Sequence, residues 1–179
     1  VKCIGFSELV QDKQITYLKS AIWSQADGII TAGMENTPEF SQVVEQAREA
    51  GIPVILIDSD VEDSGRNCYV GTDNYEAGRM AGEDMVRACG QEGKVAVIVS
   101  YLDNINQMQR VEGFQDVLAE YPGMEVVQIV EGQSNEIFLQ DKLMRVMEET
   151  PDLKGVFCAE GYATRCMCRF LEDSPGDYG

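Results

Sequence analysis

The strongest constraint on this chain is an end-to-end alternation of short β-type runs with amphipathic stretches. "VKCIGF" (1–6) reads as a strand, and "QITYLKSAIWSQ" (14–25) places Ile15, Leu18 and Ile22 at helical spacing, with Trp23 beside Ile22 as a packing residue. "DGIITAG" (27–33) is the next strand. Thr37, Pro38 and Glu39 then supply an N-cap, a first-turn proline and an early acid for a helix that turns Phe40, Val43, Val44 and Ala47 inward and stops at Gly51. "IPVILID" is continuously apolar, the pattern of a parallel strand covered on both faces.

The alternation continues with a short strand at 67–71, a helix over 74–89, and a strand at 94–100. A helix over 105–121 turns Met108, Val111, Phe114 and Leu118 inward; a strand at 124–130, a helix over 135–149, a strand at 154–160 and a final helix from Tyr162 follow. Within residues 74–89, Gly78 and Gly82 allow close packing. Such a series implies right-handed βαβ units and an α/β fold of two Rossmann-like, doubly wound parallel-sheet lobes, each a three-layer αβα sandwich. "GTDN", with its turn and capping residues, places the boundary between a lobe of residues 1–73 and one of 74–179.

Composition narrows the chemistry. Thirty-one acidic residues against 14 basic ones give a net charge of −17, a field that repels nucleic acid and anionic lipid. Histidine is absent, which removes Ser-His-Asp and Cys-His nucleophiles and every imidazole metal ligand. The six cysteines lack paired metal-site spacing; Cys3 and Cys158 sit in apolar runs, and Cys166 and Cys168 point to nearly opposite faces of one helix. No apolar run approaches the ~20 residues of a membrane span. Neither a metal nor a cofactor is expected.

"IPVILIDSD" ends in Asp58, Ser59 and Asp60, and ligands in open parallel sheets bind beyond the C-terminal strand ends. A carboxylate there can accept hydrogen bonds from vicinal hydroxyls, hold a cation, or close an Asx turn. "LIDSDV" also fits the DxD signature of haloacid-dehalogenase-like phosphatases, with Asp58 as nucleophile, Asp60 as acid, and Ser100 standing as a second motif. Against that reading, two strand-helix units precede Asp58, and no lysine or paired-acid strand end completes the site.

Six segments occur in an order that resembles the periplasmic-binding-protein type I family, in particular the ribose-binding-like receptors of ABC importers: "QADGIITAG", "AGIPVILIDSD", "VGTDNYEAGRMAGEDM", "GKVAVI", "NQMQRVEGFQDVL" and "PDLKGVFCAEGYA". The resemblance implies two lobes that clamp a sugar or polyol without chemistry, for an ABC permease or a membrane sensor, outside the cytoplasm. By motif, Asp58 corresponds to the family's hydroxyl-accepting aspartate and Arg110 in "QRVEGF" to its sugar-binding arginine. Glu160 stands where the family usually has Asn, an acceptor in place of a donor that suits an amine-bearing ligand. Ser59 replaces a common Arg, Tyr101 is a candidate sugar-stacking ring, and Ser134 lies at another loop entrance.

The family's opening strand has no counterpart before "VKCIGF", and "SPGDYG" precedes its return crossings, so both lobes are expected to be incomplete and the chain to be part of a longer protein. The effector domain of a LacI-type regulator shares this fold and is the alternative. It would be cytoplasmic and carry its DNA-binding headpiece upstream of Val1, although "GKVAVI" lacks the "GH" usual there.

Overall fold

A computed structural model describes residues 11–33 and 36–173. The strand expected at residues 1–6, and Cys3 with it, lies outside the described residues. The chain divides into two compact units, Val1–Thr72 and Asp73–Gly179.

The first unit contains α1 (Gln11–Trp23), β1 (Ile29–Ala32), α2 (Pro38–Glu49), β2 (Val54–Ile57), a 3₁₀ turn (Glu62–Ser64) and β3 (Cys68–Val70). Its strands form a parallel sheet in the order β1-β2-β3, with Ile29 opposite Val54 and Leu56 opposite Tyr69. The Thr37 hydroxyl accepts the Phe40 amide, Pro38 occupies the first turn, and Gly51 takes φ +77° just past the helix, so local capping chemistry sets both ends of α2. Phe40, Val43, Val44 and Ala47 are all buried, as are Ile29, Val54 and Leu56 of the sheet.

Burial nevertheless alternates along these strands. Ile30 is 67% exposed and Val70 63%, and Ile57 is also exposed, so the uninterrupted apolar run of β2 is buried on one face only among the described residues. Trp23 corrects the sequence reading more sharply. It is 87% exposed, because it is the last residue of α1, where the helical spacing that seats Leu18 has no neighbour left to meet.

The second unit contains α3 (Asn74–Cys89), β4 (Glu92–Val99), α4 (Ile105–Ala119), β5 (Gly123–Glu131), α5 (Glu136–Glu149), β6 (Leu153–Cys158) and α6 (Gly161–Asp173). Its parallel sheet runs β5-β4-β6. Central β4 is buried on both sides. Val95, Val97 and Val99 join a core with Val86 of α3 and Val111, Phe114 and Val117 of α4, while Ala96 and Ile98 join Leu139 and Leu143 of α5 and Cys166 and Phe170 of α6. This is a doubly wound sheet with two helices on each face. The chain steps from β4 out to β5 and returns across β4 to β6, so the ends of β4 and β6 flank the point where strand order reverses, where such sheets open a crevice.

α3 and α4 touch backbone to backbone. A Cβ on Gly78 would lie 2.0 Å from the Arg110 carbonyl oxygen, and one on Gly113 would lie 2.1 Å from that of Tyr75. No side chain fits either position. Among the described residues all five cysteines are free thiols; Cys166 is buried and Cys168 exposed, on opposite faces of α6. Burial, helped by nearby Cys168 and Glu160, pushes the Cys158 thiol up to about 12.

Gly78→Ala or Gly113→Ala should each cost about 1–3 kcal/mol through overpacking, read from urea unfolding midpoints. Thiol titration of the folded protein at pH 8 should modify Cys68 and Cys168, with Cys158 and Cys166 reacting only after denaturation, because thiolate fraction and access both control the rate.

Candidate functional site

In the first unit the candidate groups gather where β2 ends. Asp58 follows Ile57 directly and takes φ +65°, a left-handed conformation that costs a non-glycine residue on the order of 1 kcal/mol. Neighbours hold it there: the Asp58 amide donates to the Val70 carbonyl at 3.3 Å, and the Tyr69 hydroxyl donates to the Asp58 carbonyl at 2.7 Å. Its side chain is exposed. Ser59 is buried and donates through Oγ to Asp58 Oδ2 at 3.2 Å, so it buttresses the carboxylate from below.

Asp60 behaves differently. Arg66 grips both its oxygens, through Nε and an Nη, in a mostly buried bidentate pair, and this bonding to Asp60 raises the Arg66 pKa. Asp60 is thereby committed to an ion pair rather than to an Asx turn. The paired-acid reading loses its second carboxylate as well, since an oxygen pair held by a guanidinium is not a free proton donor. No cluster of three or more metal-ligating side chains occurs among the described residues.

In the second unit the groups gather at the β4 and β6 ends. Gln107, buried in the first turn of α4, accepts the Ser100 amide at 2.6 Å and so ties the end of β4 to the helix that follows. Ser100 Oγ donates to Glu160 Oε1 at 2.8 Å. The Glu160 carboxylate also accepts the Tyr162 and Ala163 amides, both at 2.6 Å, which places its charge on the N-terminus of α6. Glu160 is thus a helix cap and a latch between two strand ends. Three protein donors occupy three of its acceptor sites.

Arg110, half-buried on α4, donates from Nε to Asn74 Oδ1 at 2.9 Å and from Nη1 to the Ala159 carbonyl at 2.8 Å. The guanidinium is anchored at the start of α3 through Nε and just past the end of β6 through Nη1, and the rest of the fork stays available. Tyr101 is exposed and donates to the Gln133 carbonyl at 3.2 Å, bridging the loops after β4 and β5. Ser134 is exposed too; it and Gln133 are successive left-handed residues, at φ +48° and +52°. Arg110, Glu160 and Ser100 therefore share one strand-end cluster, while Tyr101, on the loop after β4, reaches the loop after β5 that carries Ser134.

Asn74, Gln107 and Arg66 were missed in the sequence. A signal existed for Asn74. "DN" before a helix offers two capping residues for one cap; Asp73 takes it by accepting the Glu76 amide, which leaves Asn74 a buried side chain with another task.

Residues 1–177 match the periplasmic binding protein domain family. The chain is 26% identical over 162 residues to the D-apiose import binding protein of Paraburkholderia graminis, covering 87% of this chain and 52% of that protein. Among solved structures, an ABC transporter solute-binding protein from Burkholderia graminis in complex with D-arabinose superposes with a TM-score of 0.89 at 27% identity, covering 98% of this chain and 62% of that one. GanP, a glucose-galactose binding protein from Geobacillus stearothermophilus, gives 0.85 at 29% identity, covering 96% and 61%. The chain spans about half the length of the D-apiose relative.

The three carboxylates should separate in a stability assay. Asp60→Ala strands Arg66 and should cost about 1–3 kcal/mol, and Glu160→Ala, which uncaps α6, about 1–2 kcal/mol. Asp58→Gly should leave stability within about 1 kcal/mol of wild type, because relief of the left-handed strain offsets the extra freedom of the unfolded chain.

Proposed function

Since the chain belongs to the periplasmic binding protein family, we propose that it is a solute-binding receptor that takes up a neutral sugar or polyol outside the cytoplasm and delivers it to an ABC importer. It binds and performs no reaction. Arg110 carries the reading: a guanidinium fixed at two points beside the β4 and β6 ends presents its remaining N–H groups as a prepositioned fork for adjacent hydroxyl oxygens.

Asp58 supplies the complementary chemistry. An exposed carboxylate at the end of β2, strained into place and supported by Ser59, accepts hydrogen bonds from sugar hydroxyls. A sugar hydroxyl both donates and accepts, so a carboxylate acceptor and a guanidinium donor each suit it. Relatives support the same class, since the similar proteins include a D-apiose import binding protein and a solute-binding protein holding D-arabinose. Tyr101 of the β4 loop and Ser134 of the β5 loop add a ring and a hydroxyl to the ligand contacts in this reading.

Calorimetric titration with D-apiose, D-arabinose, D-ribose and xylitol should reveal binding to at least one, weakened about tenfold or more by Asp58→Ala and by Arg110→Ala, the loss expected for a hydrogen bond to a charged group. Wild-type affinity in both variants would remove these residues from the site.

A further inference from the structure

We propose that Asn74 is the positioning residue that sets the orientation of the Arg110 guanidinium for ligand, an inference that rests on the reading of Arg110 as a ligand donor. Asn74 is the first residue of α3 and is only 4% exposed. Asparagine is a poor helix former, and burying an amide is unfavourable unless it is hydrogen-bonded. Capping does not explain it, because Asp73 already accepts the Glu76 amide at 2.9 Å. The task left for the Asn74 Oδ1 is the bond to Arg110 Nε.

That bond does what the Ala159 contact cannot do alone. A single anchor at Nη1 leaves the guanidinium free to swing about it, whereas anchors at Nε and Nη1 fix its plane and direct the remaining N–H groups. Arginine gives up rotamer freedom when held, and Asn74 takes that loss before ligand arrives. The distance between the two residues is itself fixed. Gly78, one turn after Asn74 on α3, seats against the carbonyl of Arg110 itself, and Gly113 on α4 seats against the carbonyl of Tyr75, so neither helix can slide along the other.

The test compares Asn74→Ala, Asn74→Asp and Arg110→Ala in the intact protein, titrated with whichever of D-apiose, D-arabinose, D-ribose or xylitol wild type binds most tightly. Hydrogen exchange of the Arg110 Nε–H, followed by NMR without sugar, reads the bond directly. Asn74→Ala should weaken sugar binding about tenfold or more and speed that exchange, and Asn74→Asp, which keeps the acceptor, should restore both to within about threefold of wild type. Loss of binding in Arg110→Ala with wild-type affinity in Asn74→Ala overturns the positioning role alone. Wild-type affinity in Arg110→Ala, or no binding of any of the four sugars, overturns the receptor reading and this inference with it. Rapid exchange of the Nε–H in wild type overturns the inference without any variant, so a failure of Asn74→Ala to fold leaves the question decidable.

Discussion

The contact on which most of the second unit depends is the crossing of α3 and α4 at Gly78 and Gly113. Each glycine rests against a carbonyl of the other helix, at a separation where no Cβ fits. Close approach aligns the two helices on one face of β4 and seals Val86, Val111, Phe114 and Val117 against Val95, Val97 and Val99. It also brings the first residue of α3 to the first turns of α4, which is how Asn74 reaches Arg110. Core packing and site geometry are here one constraint, since a helix pair spread by a single methyl would lose both.

A second theme is that identical side-chain chemistry is put to different uses by its neighbours. Asp58, Asp60 and Glu160 all lie at or just beyond C-terminal strand ends. Arg66 takes both oxygens of Asp60, the amide groups of α6 and the Ser100 hydroxyl take Glu160, and Asp58 is held exposed by a backbone conformation it would not choose. A charge matched by a guanidinium or a helix terminus stabilises structure, and a carboxylate held exposed on strained backbone is suited to a ligand. The hold of Arg66 on Asp60 counts against a DxD phosphatase, because that acid is committed to an ion pair.

Much of the fold was legible because its determinants are local. Thr37-Pro38, Asp73 and Asn135 mark helix starts through caps that reach only three residues, and α3 spans the residues that its periodicity and caps mark out. The faces of α2 and α6 follow from spacing alone, down to the buried Cys166 beside the exposed Cys168. Trp23 shows the limit. Periodicity says which way a side chain points but not whether anything waits there, and Trp23 at the end of α1 is exposed. The same holds for β2, whose apolar residues suit two covered faces while Ile57 is exposed.

By itself the sequence determined the strand-helix alternation, the parallel sheets that follow from it, and the placing of Asp58 just past a buried strand, because hydrophobic period, caps and turn residues act over a few positions. Tertiary structure alone decided what each polar group is for. Ser100 and Glu160 lie 60 residues apart, Arg110 and Ala159 49, and Arg110 and Asn74 36. A hydrogen bond is felt only within about 3.5 Å, so partners so distant along the chain acquire their roles only once the sheet order β5-β4-β6 and the glycine crossing of α3 with α4 have brought them together.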